Sequence, residues 1–315
     1  MSKNVLKESR IQIAVSHIFF LVLLFICAFA EKGRPTVRAP FSMIIGLFVI
    51  EIIFLFGLIK KAGKGLSVKG ACDIMLFVWV LMLLWEVFAS VLNKVHPVLV
   101  PCPENVFDTV REHFKTLLLN ALYSLELLFA GLIIGMALAI ILGIICGWNK
   151  RLSDFAYPIA NVMAPIPAVV FSPYLVAVMP SFRSASALVI VLGVFWPTFL
   201  TTVNRIKAVD ERILDSAKML KLSDFQMMTE ILLPYIMPGI VSGLKVTLTT
   251  SVLMLNFAEL MGASHGMGYY IQNAIAYTNY THAVTGILCI GIVVTILNKA
   301  VGVLQYKLHL DVKKL

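Results

Sequence analysis

Long apolar runs separated by short polar interruptions fill the chain. Eight runs, Ile11–Ala30, Phe41–Leu58, Cys72–Leu92, Thr116–Trp148, Phe155–Met179, Ala185–Val203, Pro234–Ala258 and His282–Leu304, approach or exceed the length that crosses the hydrocarbon of a bilayer. That length is about 20 mostly apolar residues. The pattern predicts an all-α integral membrane protein of about eight transmembrane helices. Thr116–Trp148 is long for an upright span, so its first turns are expected to tilt or to lie along the surface.

The polar interruptions set the orientation. One side receives Lys3, Lys7, Arg10, Lys60, Lys61, Lys64, Lys69, Lys150, Arg151, Arg205, Lys207, Arg212, Lys218, Lys221, Lys307, Lys313 and Lys314. The other receives only Lys32, Arg34, Arg38, Lys94, Arg111, Lys115 and Arg183. By the positive-inside rule the richer side is cytoplasmic, which places both termini there, as an even number of spans requires. The first run, preceded by Lys3, Lys7 and Arg10 and ending Ala28-Phe29-Ala30, also has the form of a signal peptide with a cleavage site. Its length favours a retained first helix.

Composition agrees. The chain of 315 residues is 60% hydrophobic and 14% charged, with a mean hydropathy of +0.92. Soluble proteins are about 45–50% apolar and about 25% charged, so a soluble enzyme, a disordered chain and a disulfide scaffold are excluded. The net charge of +9 is accounted for by the basic loops and gives no reason to expect a nucleic-acid partner. The five scattered cysteines form no metal-binding or redox spacing, and only Cys102 lies in a loop. No HExxH or GxSxG arrangement suggests catalysis, and no metal site is expected.

Within the spans, three features carry information. Gly131, Gly135, Ala139, Gly143 and Gly147 recur every fourth residue and mark a face that permits close helix packing, within the subunit or across a dimer seam. Pro158, Pro165, Pro167, Pro173 and Pro180 interrupt the fifth run. Broken backbone at membrane depth must be buried or line a watery cavity, so Asn161, Pro165 and Pro167 are candidate pathway residues. Ionisable residues in spans are costly, which singles out Glu51, Asp73, Glu86, Glu126, Lys245 and Glu259. Asn120 and Tyr123 add polar lining candidates, and Gly262, Gly266 and Gly268 suit a re-entrant turn after Glu259.

Residues 205–233 form the longest basic loop between spans and read as two short amphipathic helices. Asp210–Leu220 places Ile213, Ala217 and Leu220 on one face. Ser223 with Gln226 makes a capping box, and Ile231-Leu232-Leu233-Pro234 runs into the next span. A regular, charged hairpin at the membrane surface points to docking of a partner.

This hairpin resembles the EAA loop of ABC importer permeases. Leu214-Asp215-Ser216-Ala217-Lys218-Met219-Leu220-Lys221, then Ile231-Leu232-Leu233-Pro234 after nine residues, follows that family's Glu-Ala-Ala, Gly and Ile-x-Leu-Pro pattern. Asp215 and Ser216 replace the Glu and first Ala, and Lys221 stands where the family has Gly. Leu84-Trp85-Glu86, Pro101-Cys102-Pro103-Glu104, Ala164-Pro165-Ile166-Pro167-Ala168, Val194-Phe195-Trp196-Pro197 and Ala258-Glu259-Leu260-Met261-Gly262-Ala263 narrow the resemblance to the nitrate/sulfonate/taurine branch. It runs from about Cys72 to the C-terminus. The expected division is therefore 1–70, two additional helices and a basic linker, and 71–315, a six-helix type I permease core.

The resemblance implies a subunit of the cytoplasmic (inner) membrane of a prokaryote. It would pair with a second permease copy, most simply as a homodimer, two cytoplasmic ATPase subunits and an external substrate-binding protein. ATP and Mg belong to the ATPases, since this chain has no G-x-x-x-x-G-K-[ST] loop and no cofactor of its own is implied. Asp210, Glu211, Leu214, Asp215, Ser216, Ala217, Leu220, Lys221, Ser223 and Pro234 are the coupling residues it implies, and Glu259 with its glycine loop is read as a structural anchor. The competing reading is a stand-alone secondary transporter or channel using Glu126 and Glu259. The branch carries small anions such as nitrate, sulfonates, taurine and bicarbonate, and in some members vitamin precursors or other heterocycles; the few Lys and Arg among the pathway candidates weaken the simple-anion reading.

Overall fold

The computed structural model describes residues 10–63, 66–261 and 263–312. Lys3, Lys7, Lys64, Gly262, Lys313 and Lys314, used above, lie outside the described residues. Among the described residues the ordered elements are all helical. Seven helical segments are long and apolar enough to cross a membrane, or eight if one sharply bent pair counts as a span.

The chain forms two compact units, Met1–Thr116 with Asn273–Ile287, and Leu117–Gln272 with Leu288–Leu315. The first contains α1 (Arg10–Phe29), α2 (Phe41–Gly63), α3 (Lys69–Glu86, continued as a π turn over Val87–Val91) and α4 (Pro103–Glu112). Phe20, Leu23, Cys27, Met43, Leu47, Met75 and Trp79 form one buried cluster across α1, α2 and α3. The compact unit thus continues past residue 70, because α3 supplies the surface on which α1 and α2 bury their apolar faces.

A polar network completes this unit. The Lys32 ammonium pairs with Glu86 and lies 2.9 Å from Glu104, both carboxylates being fully buried. Burial alone would pull the Lys32 pKa down, but hydrogen bonds to the two carboxylates hold it above the ordinary lysine value. The buried Arg34 donates to Asn93 Oδ1 at 2.9 Å, Val95 O at 3.0 Å and Val100 O at 2.8 Å. Arg38 binds Asp108 at 2.8 Å and holds that carboxyl below the usual range. The segment between α1 and α2 is therefore fastened by charge-assisted hydrogen bonds to the end of α3, to the segment before α4 and to α4 itself.

The second unit is built on α5 (Phe114–Trp148), α8 (Phe182–Lys207), α11 (Leu233–Leu260) and α13 (Tyr280–Val312), whose parts within the unit begin at Leu117 and Leu288 for α5 and α13. α5 is one continuous helix of 35 residues. Its small-residue stripe packs on α8 of the same chain. A Cβ added at Gly131 would lie 2.7 Å from Ile190 Cβ, at Gly143 2.8 Å from Thr202 Cβ and at Gly147 2.9 Å from Ile206 Cβ. At Gly135 it would lie 3.0 Å from Val191 O, and Ala139 is fully buried beside Phe199 and Val203. The stripe is therefore an internal seam. Lipid tails provide no apolar drive for association, so the seam rests on close backbone approach.

The fifth apolar run is not one straight span. α6 (Lys150–Met163) and the following Ala168–Val178 segment, a 3-10 turn leading into α7 (Ser172–Val178), meet at 86°. Pro165 and Pro167 deprive this corner of two backbone donors, and Pro158 is accommodated within α6.

Gly131→Ala should destabilise the protein by about 1–3 kcal/mol, the usual cost of forcing atoms into a packed seam. Gly57→Ala, where a Cβ meets nothing within 4 Å, should be neutral. Thermal unfolding of the two variants in the same detergent checks the contrast.

Candidate functional site: a coupling hairpin, a carboxylate latch and a polar groove

The hairpin is set by local signals. Asp210 Oδ1 accepts the Arg212 amide at 2.9 Å and opens α9 (Glu211–Met219), with Glu211 in the first turn, where a helix favours negative charge. Ser216 Oγ returns a bond to Arg212 O at 2.7 Å. Lys221 has φ 53, the left-handed conformation that makes glycine the easier residue there, so the turn forms with lysine in the glycine position. Ser223 and Gln226 then make a reciprocal capping box at the start of α10 (Asp224–Gln226).

The inward face of α9 differs from the one its periodicity suggested. Ala217 is buried with Val209, Met227, Leu232, Ile206 and Ile144, and Leu214 packs against them. Ile213 is partly exposed, while Leu220, beyond the last turn of α9, is 73% exposed. Ala217 therefore seats the hairpin on its own chain. The most exposed apolar residues of the hairpin are Met219, Leu220 and Phe225, and of these the periodicity picked out Leu220 alone, as part of the apolar face with Ile213 and Ala217. Trp148 Nε1 donates to Asp224 at 3.1 Å and ties the end of α5 to this turn.

From the hairpin, helix continues without a stop. α10, a π segment over Met227–Leu232 and α11 make one run, Asp224–Leu260, of 37 residues. At 1.5 Å per residue it is about 55 Å long. Pro234 falls at the first turn of α11, immediately after the π segment.

At the far end of that run is the latch. Glu259 is 2% exposed; its Oε1 accepts Ser124 Oγ at 2.7 Å and its Oε2 accepts the Gly268 amide at 2.7 Å. Ser124 Oγ in turn accepts the Met267 amide at 2.9 Å, and Asn120 Oδ1 accepts the Gly266 amide at 2.9 Å. Three successive amides at the start of α12 (Met267–Ala276) are thus held by side chains of α5 and α11. Gly266 has φ 112, and a Cβ there would lie 2.4 Å from the Glu259 carboxyl carbon. A Cβ at Gly268 would lie 2.7 Å from Glu259 Cβ. Only glycine fits either place.

Tyr123 stacks on His265 with ring centroids 4.9 Å apart. Both border a cavity of about 220 Å³ with Leu127, Phe182, Arg183 and Glu259. Glu126 is exposed and paired with Arg183, and both Glu259 oxygens accept hydrogen bonds in the latch. This geometry does not favour the use of these two carboxylates as ion sites of a stand-alone transporter.

Pro165 and Pro167 line a second cavity, of about 330 Å³, with Thr198, Thr247, Thr250 and Met254. It shares Pro197, Thr198, Val246 and Thr247 with a third, of about 300 Å³, that extends to Thr201, Ser242 and Arg205. Together they make a groove along α8 and α11 from the proline corner toward the hairpin. Asn161 is exposed on α6 and does not line it. Arg205, counted above as a loop charge, belongs to the last turn of α8 and borders the groove. The threonine-rich stretches 198–202 and 247–251 were the available signal for this lining, and Ser124, one turn after Asn120, was the signal for the latch.

Comparison with known proteins agrees with this architecture. The family of binding-protein-dependent transport system inner membrane components matches residues 139–314. SsuC of Bacillus subtilis, named as an aliphatic sulfonates transport permease, is 27% identical over 73% of this chain and 83% of its own. NrtB of Synechocystis, a nitrate import permease, is 25% identical over 72% and 85%. TauC of Escherichia coli, a taurine transport system permease, is 25% identical over 76% and 87%. Among solved structures, an inward-facing MetNI methionine ABC transporter shares the fold, with a TM-score of 0.54 and 17% identity over 64% of this chain and 98% of that one. With a helical hairpin, a carboxylate-held glycine loop and a family match over its second half, this chain belongs to the ABC importer permeases, in the nitrate/sulfonate/taurine branch.

Proposed function

We propose that the protein forms the solute path of an ATP-driven importer of the inner membrane, with the 205–233 hairpin on the cytoplasmic side, where the positive-inside count puts both termini. Two copies of the chain enclose the path. Two separate ATPase subunits seat on the hairpins, and an external binding protein delivers solute to the opposite face. Residues 71–315 supply the permease core, and residues 1–70 are an addition that braces α3.

The observation that carries this reading is the unbroken run Asp224–Leu260, which joins the hairpin to Glu259. Closure of the ATPase pair moves the hairpins, and a continuous helix transmits that motion to the loop latched at its other end. The path then opens alternately to either side, which is a hinge or rigid-body transition. Met219, Leu220 and Phe225 present apolar surface on a segment whose dense charge keeps it out of hydrocarbon. They are the contact with the ATPase, while Ala217, Leu214, Ser216 and Ser223 hold the hairpin in shape. Asp210, Glu211 and Asp215 give its rim negative charge.

Expressed with its ATPase, the permease should co-purify with it, and uptake into proteoliposomes should require ATP and the binding protein. Leu220→Asp should reduce co-purification at least about tenfold, roughly the 1–2 kcal/mol of one apolar contact, with unchanged thermal stability. Ala217→Arg should lower stability itself. Uptake that persists without ATP and collapses with an ion gradient contradicts the proposal.

Lys221→Gly should stabilise the turn by about 1 kcal/mol, the cost of a left-handed non-glycine residue, and leave transport intact. Thermal unfolding and uptake on the same preparation check this, and a loss of stability would rule out the left-handed turn.

A further inference from the structure

The groove along α8 and α11 contains one charged side chain, and its chemistry restricts what can occupy it. Arg205 lies flat over the backbone of Gly239, where a Cβ would lie 1.7 Å from Nη1, so the guanidinium occupies space that only glycine leaves open. Nη2 donates to Gly239 O at 3.3 Å, a long bond to a carbonyl with no formal charge. Nε is buried from solvent and has no hydrogen-bond partner. Four other basic groups are differently placed. Arg34 has three good acceptors, Arg183 and Arg38 have carboxylates, and Lys207 sits 4.2 Å over the Tyr157 ring.

No acidic residue lines the cavity at Arg205. Its polar lining is hydroxyl: Thr198, Thr201, Ser242 and Thr247. Thr201 and Ser242 each donate to a carbonyl of their own helix, at 2.8 Å, and each can exchange that bond for one to a ligand by turning its hydroxyl proton toward the cavity. A guanidinium with donors left over after one long bond to Gly239 O, flanked by hydroxyls and unopposed by carboxylates in a partly apolar cavity, is a receptor for an oxyanion.

We propose that Arg205 and the hydroxyls of Thr198, Thr201, Ser242 and Thr247 form an anion-binding station in the translocation groove, taking the oxyanion group of the solute. As a statement about solute this rests on the permease reading above. It adds a residue: where the solute carries a compact, delocalised negative group, as the branch implies, Arg205 is the side chain that meets it. The fixed cation attracts that group between the proline corner and the hairpin end of the groove. Having only one charge and neutral hydroxyls, the station holds its ligand weakly enough for release.

The test uses the full chain in detergent, with Val246→Cys, an exposed lining residue outside the station, as a reporter in a background lacking Cys146 and Cys289. The reporter is modified with two methanethiosulfonates of similar size, one ending in sulfonate and one in trimethylammonium. With Arg205 present, the sulfonate reagent should react faster relative to the ammonium reagent, and sodium methanesulfonate should slow it while sodium chloride at equal ionic strength does not. Arg205→Gln should reduce the preference about tenfold, as expected for one nearby charge in a partly screened site, and abolish the competition. Arg205→Lys should keep most of the preference.

A preference that survives in Arg205→Gln, or competition by chloride as strong as by methanesulfonate, overturns the proposal. If Arg205→Gln fails to fold, the competition measured with Arg205 in place decides alone, and its absence rejects the station. Because the labelling needs no ATPase or binding protein, a negative result here is distinct from a failure of ATPase co-purification, which would reject the permease reading instead.

Discussion

A peptide amide buried away from water has no solvent to bond, so backbone that leaves its helix inside the protein must find acceptors there. The turn into α12 meets that requirement with three side chains. Asn120, Ser124 and Glu259 accept the amides of Gly266, Met267 and Gly268, and Ser124 links directly to the carboxylate. The glycines follow from the same requirement, since any Cβ would displace the carboxylate that holds them. An acidic residue in an apolar span is thereby explained by what it fastens. Removing it would leave the loop amides unpaired, and an unpaired buried polar group costs about 1–3 kcal/mol.

The rest of the second unit divides between parts built to stay together and parts built to bend. The Gly131–Gly147 stripe brings α5 against α8 so closely that single methyl groups would clash. The proline corner between α6 and α7 does the opposite, ending one helix and turning the chain by 86°. α11 lies between these extremes. It contains Pro234 and Pro238, yet its helical run from Asp224 is continuous and connects the hairpin to the latch. Rigid transmission and a weakly binding groove are both available along that one helix.

Spans, hairpin and latch were legible in the sequence for different physical reasons. Apolar length alone predicts the number of spans, because bilayer thickness sets a minimum. The capping box at Ser223 and the small-residue stripe are local patterns whose meaning depends little on the rest of the fold. Whether the stripe faces its own chain or a second copy could not be read from spacing, since both uses select the same residues. The face of α9 was read one turn too far: Leu220 lies beyond the helix, where 3.6-residue periodicity no longer applies. Arg205 was the largest omission. Counting basic residues by loop assigns it to topology, whereas its environment is set by Gly239, 34 residues later in the chain.

The latch is best tested by site-resolved hydrogen exchange on the membrane-embedded protein, comparing the parent with Glu259→Ala at the amides of Gly266, Met267 and Gly268. Three bonded, buried amides should exchange slowly in the parent. Loss of the carboxylate should speed Gly268 and Met267 by at least about tenfold, the equivalent of one net hydrogen bond, while the α5 amides around Gly135 stay protected. Equal exchange at all three amides in the two proteins would contradict the account, because the loop would then be held by something other than Glu259.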